Sequence, residues 1–382
     1  MCIRQLTLVC GVMFAIVVGL AQAQNKDDID FAKARQLLQK SKSGEKLTAE
    51  EQAYLDRAIA ARKKGTRPQK GPNKSSADVA KDLKPLTEMT ADDKYKGQDG
   101  GLYGGGKNEP PKEHLDAALR QSALIQPLDA QGKPAKDGKI VLISMGMSNT
   151  TQEFSAFERQ ANGDAQKNPQ LVIVDGAQGG MEAQAWAEPD KLQRPNATDP
   201  WKVLDERLKQ AHVTPQQVQV VWIKQARRLP ASLGEFPKHA EEMKGHMTVG
   251  LQRLKQTFPN LRLAYLSSRI YAGYATSTLN PEPYAYETAF VTRWLIQDQI
   301  RGDASLAYQA EPGPVKAPLL LWGPYLWSQG ETGRKLDDLI YKPEDFLSDG
   351  THPSPSGRRK VADQLLHFFK TDPTAKTWFV KK

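Results

Sequence analysis

The sequence predicts a three-layer α/β fold: a central parallel sheet of about five strands with helices on both faces. Three observations point there. From about Lys139 the chain carries five short, nearly continuous apolar runs: "KIVLISM", "QLVIVDG", "VQVVWIK", "RLAYLSS" and "APLLLWG". Amphipathic stretches such as "DPWKVLDERLKQA" and "YAYETAFVTRWLIQDQI" lie between them. Small, polar or titratable residues follow each apolar run, as expected where the carboxyl ends of strands share one edge of a sheet. Right-handed crossovers between such strands give the flavodoxin-like arrangement.

The chain opens on "MCIRQLTLVCGVMFAIVVGLAQAQ", in which Arg4 precedes an apolar run that ends at Ala21-Gln22-Ala23. This is the pattern of a signal peptide over residues 1–23, cleaved near Ala23, and it implies an exported protein, periplasmic or secreted. A transmembrane anchor is the alternative, and the short run with its small-x-small ending argues against it. No later run is long enough to span a bilayer, so no membrane span is expected in the mature chain. Both cysteines, Cys2 and Cys10, fall within the leader, which leaves no pair for a disulfide. The formal charge of +9 would suit anionic envelope material or nucleic acid, but simple solubility explains it as well.

Residues 25–64 predict a helical hairpin. "DIDFAKARQLLQKSK" has apolar residues at helical spacing, "SGEK" interrupts it, and Thr48 and Glu51 then stand at capping-box spacing. Residues 65–137 are expected to be a linker and an extended glycine-rich segment. The basic stretch "RKKGTRPQKGPNKSS" contains no aromatic residue, so no nucleic-acid partner is expected. "GQDGGLYGGGKNEPP" has neither the preceding strand nor the Gly-Lys-Ser/Thr ending of a phosphate-binding loop. Within the α/β domain, 138–382, Asp199 and Pro200 mark a helix start.

The chemistry-bearing residues follow the strands. Ser148 lies in "GMSNTTQEF" after the first, Gly179 and Gly180 in "DGAQGGMEA" after the second, and Gln225 in "KQARR" after the third. "SSRIYAGY" with Arg269 follows the fourth. "GPYLWSQG" follows the fifth, and then "SDGTHPSPSG", in which Gly350 and Pro353 frame Asp349 and His352. His114, His212, His239, His246 and His367 show no ligand-like spacing, and neither a metal nor another cofactor is expected.

These blocks resemble the SGNH, or GDSL-type, hydrolases over roughly residues 138–370. Gly146-Met147-Ser148 stands where that family has Gly-Asp-Ser, Gly180 where it has its second-block glycine, and "DGTHP" where it has Asp-x-x-His-Pro. Gln225 stands for the family's asparagine and Met147 for its aspartate. The resemblance implies a serine ester hydrolase with Ser148 as nucleophile, His352 as base and Asp349 as its orienting carboxylate. It implies an oxyanion hole from the Ser148 and Gly180 N–H groups and the Gln225 amide. A glutamine stem is one methylene longer than asparagine's, and catalytic geometry is sensitive to about an ångström. Asn149, Gly179, Arg269, Tyr271 and Tyr325 are expected to contact substrate, Arg269 through a carboxylate or hydroxyl pair and the aromatics by stacking on sugar faces. The aromatics Tyr271, Tyr274, Tyr284, Tyr286, Trp322, Tyr325 and Trp327 equally suit packing of an insertion against the domain. The expected substrate is an ester of a small molecule or glycan, most specifically an acetylated carbohydrate. The alternative is a carbohydrate-binding protein that keeps the fold without catalysis.

Overall fold

The computed structural model describes residues 47–63, 75–192, 198–311 and 313–381, together with residues 34, 37, 38, 40, 41 and 45. The chain divides into two compact units, Met1–Asn73 and Lys74–Lys382. The expected signal peptide and the basic stretch around residue 70 lie outside the described residues. No helix among the described residues is long and apolar enough to cross a membrane.

In the first unit, helix α1 spans Ala49–Lys63. Its start is a reciprocal cap: the Glu51 N–H donates to Thr48 Oγ1 at 3.2 Å and the Thr48 N–H donates to Glu51 Oε2 at 2.8 Å. Of the expected first helix of the hairpin, Ala34, Leu37, Leu38, Lys40 and Ser41 are described, and all are helical.

The second unit opens with short helix α2, Ser76–Ala80, and helix α3, Lys112–Ala123. Then come β1 (Ile140–Gly146), α4 (Ser148–Asn162), β2 (Leu171–Val174), α5 (Ala183–Ala187) and α6 (Pro200–Gln210). The chain continues through β3 (Val218–Lys224), α7 (Lys238–Thr257), β4 (Leu263–Ser267), α8 (Tyr284–Ile300) and β5 (Leu319–Trp322). It ends with α9 (Pro355–Thr371) and α10 (Lys376–Phe379). The five strands form one all-parallel sheet in the order β2-β1-β3-β4-β5. The fold class is therefore as the sequence predicts. Every residue of β1, β3, β4 and β5 is buried, which is why these strands read as unbroken apolar runs.

Aromatic side chains lock the layers together. Phe154 of α4 stacks on Trp222 of β3, and Phe157 meets Phe369 of α9 and Phe379 of α10. α7 and α8 pack against each other elsewhere on the sheet. Asp199 caps α6 by accepting from the Trp201 N–H at 2.9 Å.

The expected linker at 65–137 is corrected over its second part. Ala80, Leu83, Leu86 and Met89 are buried in the core of the domain, and the Leu86 N–H donates to Tyr325 Oη at 3.0 Å. Tyr95 stacks on Phe290 of α8, and Arg293 donates to the Asp99 and Gly101 carbonyls. Gly104 lets the backbone lie close to α8, where a Cβ would fall 2.7 Å from Gln297 Nε2, and a Cβ at Gly100 would strike the Met89 carbonyl of the same segment. Helix α3 buries His114, Ala117 and Ala118, so a glycine-rich flank does not mean an unpacked segment.

His114 provides a pH-dependent element. Its Nε2 lies 2.8 Å from the Leu320 carbonyl, so that nitrogen must carry a proton and donate. Burial lowers its pKa from 6.5, outweighing the opposing effect of that hydrogen bond. The folded state thus takes up a proton less readily than the unfolded chain. The stability this group contributes is present above pH 6.5 and falls as the pH drops below it towards the lower folded value. His114→Gln is expected to flatten this part of the profile, as read from melting temperatures between pH 5 and 8.

Candidate active site

Ser148 is the first helical residue of α4, immediately beyond β1. The turn between them needs glycine at 146: a Cβ there would lie 2.4 Å from the Lys224 carbonyl oxygen. Thr150 fixes the same turn from the other side, accepting from the Met147 N–H at 3.3 Å and donating to the Lys224 carbonyl at 2.7 Å. The ends of β1 and β3 are thus tied together. In the strand order β2-β1-β3-β4-β5 they flank the point where the connections change direction, which is the ligand-binding crevice of such sheets.

His352 comes from the loop before α9, some two hundred residues away. Its Nε2 lies 2.8 Å from Ser148 Oγ, and its Nδ1 lies 2.5 Å from Asp349 Oδ2. Asp349 Oδ1 accepts from the backbone N–H groups of Thr351 at 3.0 Å and His352 at 2.9 Å. Partial burial opposes the charge on Asp349. The His352 N–H, the imidazole and the Thr351 N–H outweigh it and hold the carboxyl below its ordinary value. The loop depends on Gly350, whose φ is +61° and whose Cβ would fall 1.8 Å from the Tyr274 carbonyl oxygen. Asn149 joins helix to loop: its Nδ2 donates to the Thr351 carbonyl at 2.8 Å.

The segment after β2 is held just as firmly. Asp175 accepts from the hydroxyls of Ser144, Thr151 and Ser155, and the Gln178 N–H donates to the Gly146 carbonyl at 3.1 Å. Gly180 follows at φ +81°, a left-handed conformation that favours glycine. Among the described residues, neither the Ser148 nor the Gly180 N–H finds a hydrogen-bond acceptor. Both residues line a cavity of about 260 Å³, together with Met147, Asn149, Gly179, Glu182, Ala226, Arg227, Arg228, Arg269, Leu279, Asn280 and His352. The positive end of α4 adds to the potential there.

Three expected site residues are corrected. Gln225 does not line the cavity. Its side chain is 1% exposed, with both amide atoms lacking a hydrogen-bond partner, whereas Ala226 forms part of the cavity wall. Tyr271 is buried between Tyr274 and Trp327, and Tyr325 accepts from the Leu86 N–H with the Arg334 guanidinium over its ring. Neither lines the cavity. The other aromatics of the insertion also serve packing: Trp327 Nε1 donates to Glu282, Trp322 Nε1 to the Leu102 carbonyl and Tyr286 Oη to the Lys84 carbonyl.

The structure brings Ser148, His352, Asp349, Asn149, Gly179, Gly180 and Arg269 to one place. It adds residues that the sequence did not single out. Arg227 and Arg228 sit directly after β3, at the sheet edge, where they could have been suspected. Asn280 lies in the insertion after β4 and carries no local signal. Its Nδ2 donates to the Arg227 carbonyl at 3.1 Å, and the Leu229 N–H donates to the Leu279 carbonyl at 2.9 Å, so this rim is braced.

No protein-family model matches the chain, and no curated protein matches it. Among solved structures it is similar to one from Bacteroides fragilis described as a "putative acylhydrolase", with 14% identity and a TM-score of 0.34. That similarity covers 68% of this chain and 96% of the other.

Asn149→Ala is expected to act through position rather than contact with the reaction. Losing the tie to the Thr351 carbonyl frees the His352 loop, and any turnover that runs through the Ser148–His352 contact should drop by roughly 10²-fold, the scale for about an ångström of misplacement. Steady-state kinetics should show the loss in kcat rather than KM.

Proposed function

We propose that the protein is an exported serine ester hydrolase of the SGNH type that removes acetyl groups from a carbohydrate. The observation that carries this is the contact of Ser148 Oγ with His352 Nε2 at 2.8 Å, with Asp349 on the other ring nitrogen. His352 takes the Ser148 proton as Oγ attacks the ester carbonyl. The Oγ–C bond forms, and the tetrahedral oxyanion draws on the Ser148 and Gly180 N–H groups. The C–O bond to the alcohol then breaks, and His352 protonates the departing oxygen. Water, deprotonated by the same imidazole, attacks the acyl carbon; the C–Oγ bond then breaks, His352 returns the proton to Ser148 Oγ, and the acid leaves. Asp349 keeps the Nδ1–H tautomer in place and stabilises the imidazolium throughout. The cavity is smaller than those that hold drug-sized ligands and is rich in arginine and asparagine, which suits a short acyl group on a hydroxylated ring.

A fluorophosphonate probe with peptide mapping tests the proposal: the label is expected on Ser148 and absent from Ser148→Ala. The burial of Gln225 favours one other reading, a carbohydrate-binding protein without turnover, because it removes one expected oxyanion donor. Glycan binding without labelling of Ser148 would support that reading instead.

A further inference from the structure

We infer that Trp186, which has no place on the cavity wall, is the positioning residue of the oxyanion hole; its effect on turnover rests on the hydrolase reading above, and its effect on the loop does not. The two backbone donors, the Ser148 and Gly180 N–H groups, sit on turns that follow different strands, β1 and β2. Two such donors stabilise one oxyanion only where their turns keep a fixed separation, because about an ångström of misplacement is already costly. A group that joins the two turns therefore governs the hole without touching substrate.

The joint is made at one atom, the Gly146 carbonyl oxygen, two residues before Ser148. The loop after β2 closes in a tight turn: the Met181 N–H donates to the Gln178 carbonyl at 3.2 Å, and Gly180 takes the left-handed conformation that a type II turn requires at its third residue. Both ends of this turn reach Gly146. The Gln178 N–H donates to its carbonyl directly at 3.1 Å. The Trp186 indole N–H is shared between that carbonyl, at 3.2 Å from Nε1, and the Met181 carbonyl, at 3.1 Å. Without the indole N–H, the Gln178 end stays tied to Gly146 and the Met181 end does not, with Gly180 between them.

Trp186 is itself anchored. It is fully buried, its carbonyl accepts from Trp201 Nε1 at 3.0 Å, and the two indoles meet edge to face with centroids 5.1 Å apart. An indole has a single donor, and one carbonyl would satisfy it. Sharing it between carbonyls from two strand-end turns is what a brace between those turns needs. Other groups hold the loop on either side. Arg207 Nη1 donates to the Asp175 and Ala177 carbonyls at 2.5 and 2.8 Å, and the Ala183 N–H donates to the Ala226 carbonyl at 3.1 Å. Trp186 serves the stretch between them, which carries Gly180.

The test reads the loop and the reaction separately, in the full-length protein. Trp186→Phe removes the donor and part of the ring. A second variant carries 3-benzothienylalanine at 186, which keeps the bicyclic ring and replaces only the N–H by sulfur. Amide exchange at Gln178–Met181, read by mass spectrometry, is expected to quicken in both. On a short-chain aryl ester, kcat should fall roughly 10-fold to 100-fold, short of the loss of a whole donor, with KM unchanged. Inhibition by methylboronic acid, whose tetrahedral serine adduct places an oxygen in the hole, should weaken by the same factor. Leu208→Ala opens a cavity on the buried face of α6 and leaves these bonds intact, so it should lower the melting temperature and spare kcat. Unchanged exchange or unchanged kcat in the sulfur isostere would overturn the inference. So would a rise in KM with no loss of boronate affinity, or an equal fall of kcat in Leu208→Ala. Faster exchange in the variants of a protein whose wild type cleaves no ester and binds no boronate leaves the brace and sinks the hydrolase.

Discussion

Ser148→Ala is expected to lower ester turnover by on the order of 10⁴–10⁶ while leaving the melting temperature unchanged. The hydroxyl contributes little packing: its recorded contact is with His352 Nε2, and Ser148 is not a buried core residue. Removing it leaves the imidazole, its carboxylate and the backbone donors in place. What remains should be the weak assistance of those donors to direct attack by water. Asp349→Asn is expected to cost about 10⁴ in kcat by disturbing the tautomer of His352. Because the three groups act as one unit, the double variant should be little worse than Ser148→Ala alone. Single-turnover kinetics on a short-chain aryl ester, with melting curves for each variant, would check the series. Unchanged hydrolysis by purified Ser148→Ala would end the assignment of the nucleophile.

The second large effect concerns stability. Lys224, the last residue of β3, and Glu153, in α4, form an ion pair that is completely buried. Burial pushes the lysine down to about 8 and the glutamate upward, each against the attraction of its partner. Glu153 Oε1 has no hydrogen-bond partner, so the pair is only partly compensated. Lys224→Met should therefore cost about 3–5 kcal/mol, since it strands a carboxylate in the interior. Replacing both partners with apolar residues of similar volume should recover most of that loss or exceed wild-type stability. Urea unfolding of the single and double variants would measure the difference. A double variant as unstable as the single one would mean that the pair itself, rather than the unpaired charge, holds α4 against β3. Turnover in the double variant would also show whether the pair helps to aim the start of α4, because the Lys224 carbonyl receives the Thr150 hydroxyl.

The sheet was legible because burial on both faces leaves a run of apolar residues at each strand. "VQVVWIK" coincides with β3, and "YAYETAFVTRWLIQDQI" coincides with α8. The meeting of Ser148 and His352 was legible through the resemblance of "GMSNT" and "DGTHP" to the first and last blocks of a known family, with the sheet edge as the place where segments far apart in sequence can meet. The failures share a different cause. Gln225, Tyr271 and Tyr325 all lie at that edge, but whether a side chain turns to the cavity or the interior depends on packing around it. Tyr325 is taken up by Leu86, a residue nearly 240 positions earlier, and nothing local to either announces that bond. Asn149 lines the cavity, and its amide also joins α4 to the loop that carries His352, a tie that nothing local to either announces. Helix α3 was hidden by its surroundings, since prolines precede it and glycines lie upstream of those.

The segment from Ser75 to Gly106 has a practical consequence. A gene trimmed to start at the first strand would seem to retain every chemical group, yet its product would lack part of its own interior. A gap would open where Leu86 and Met89 had been, Tyr325 would lose its donor, and Glu287 would lose Tyr95 and Lys96. A shortened version that keeps this interior whole therefore begins near residue 74, well before β1 starts at Ile140.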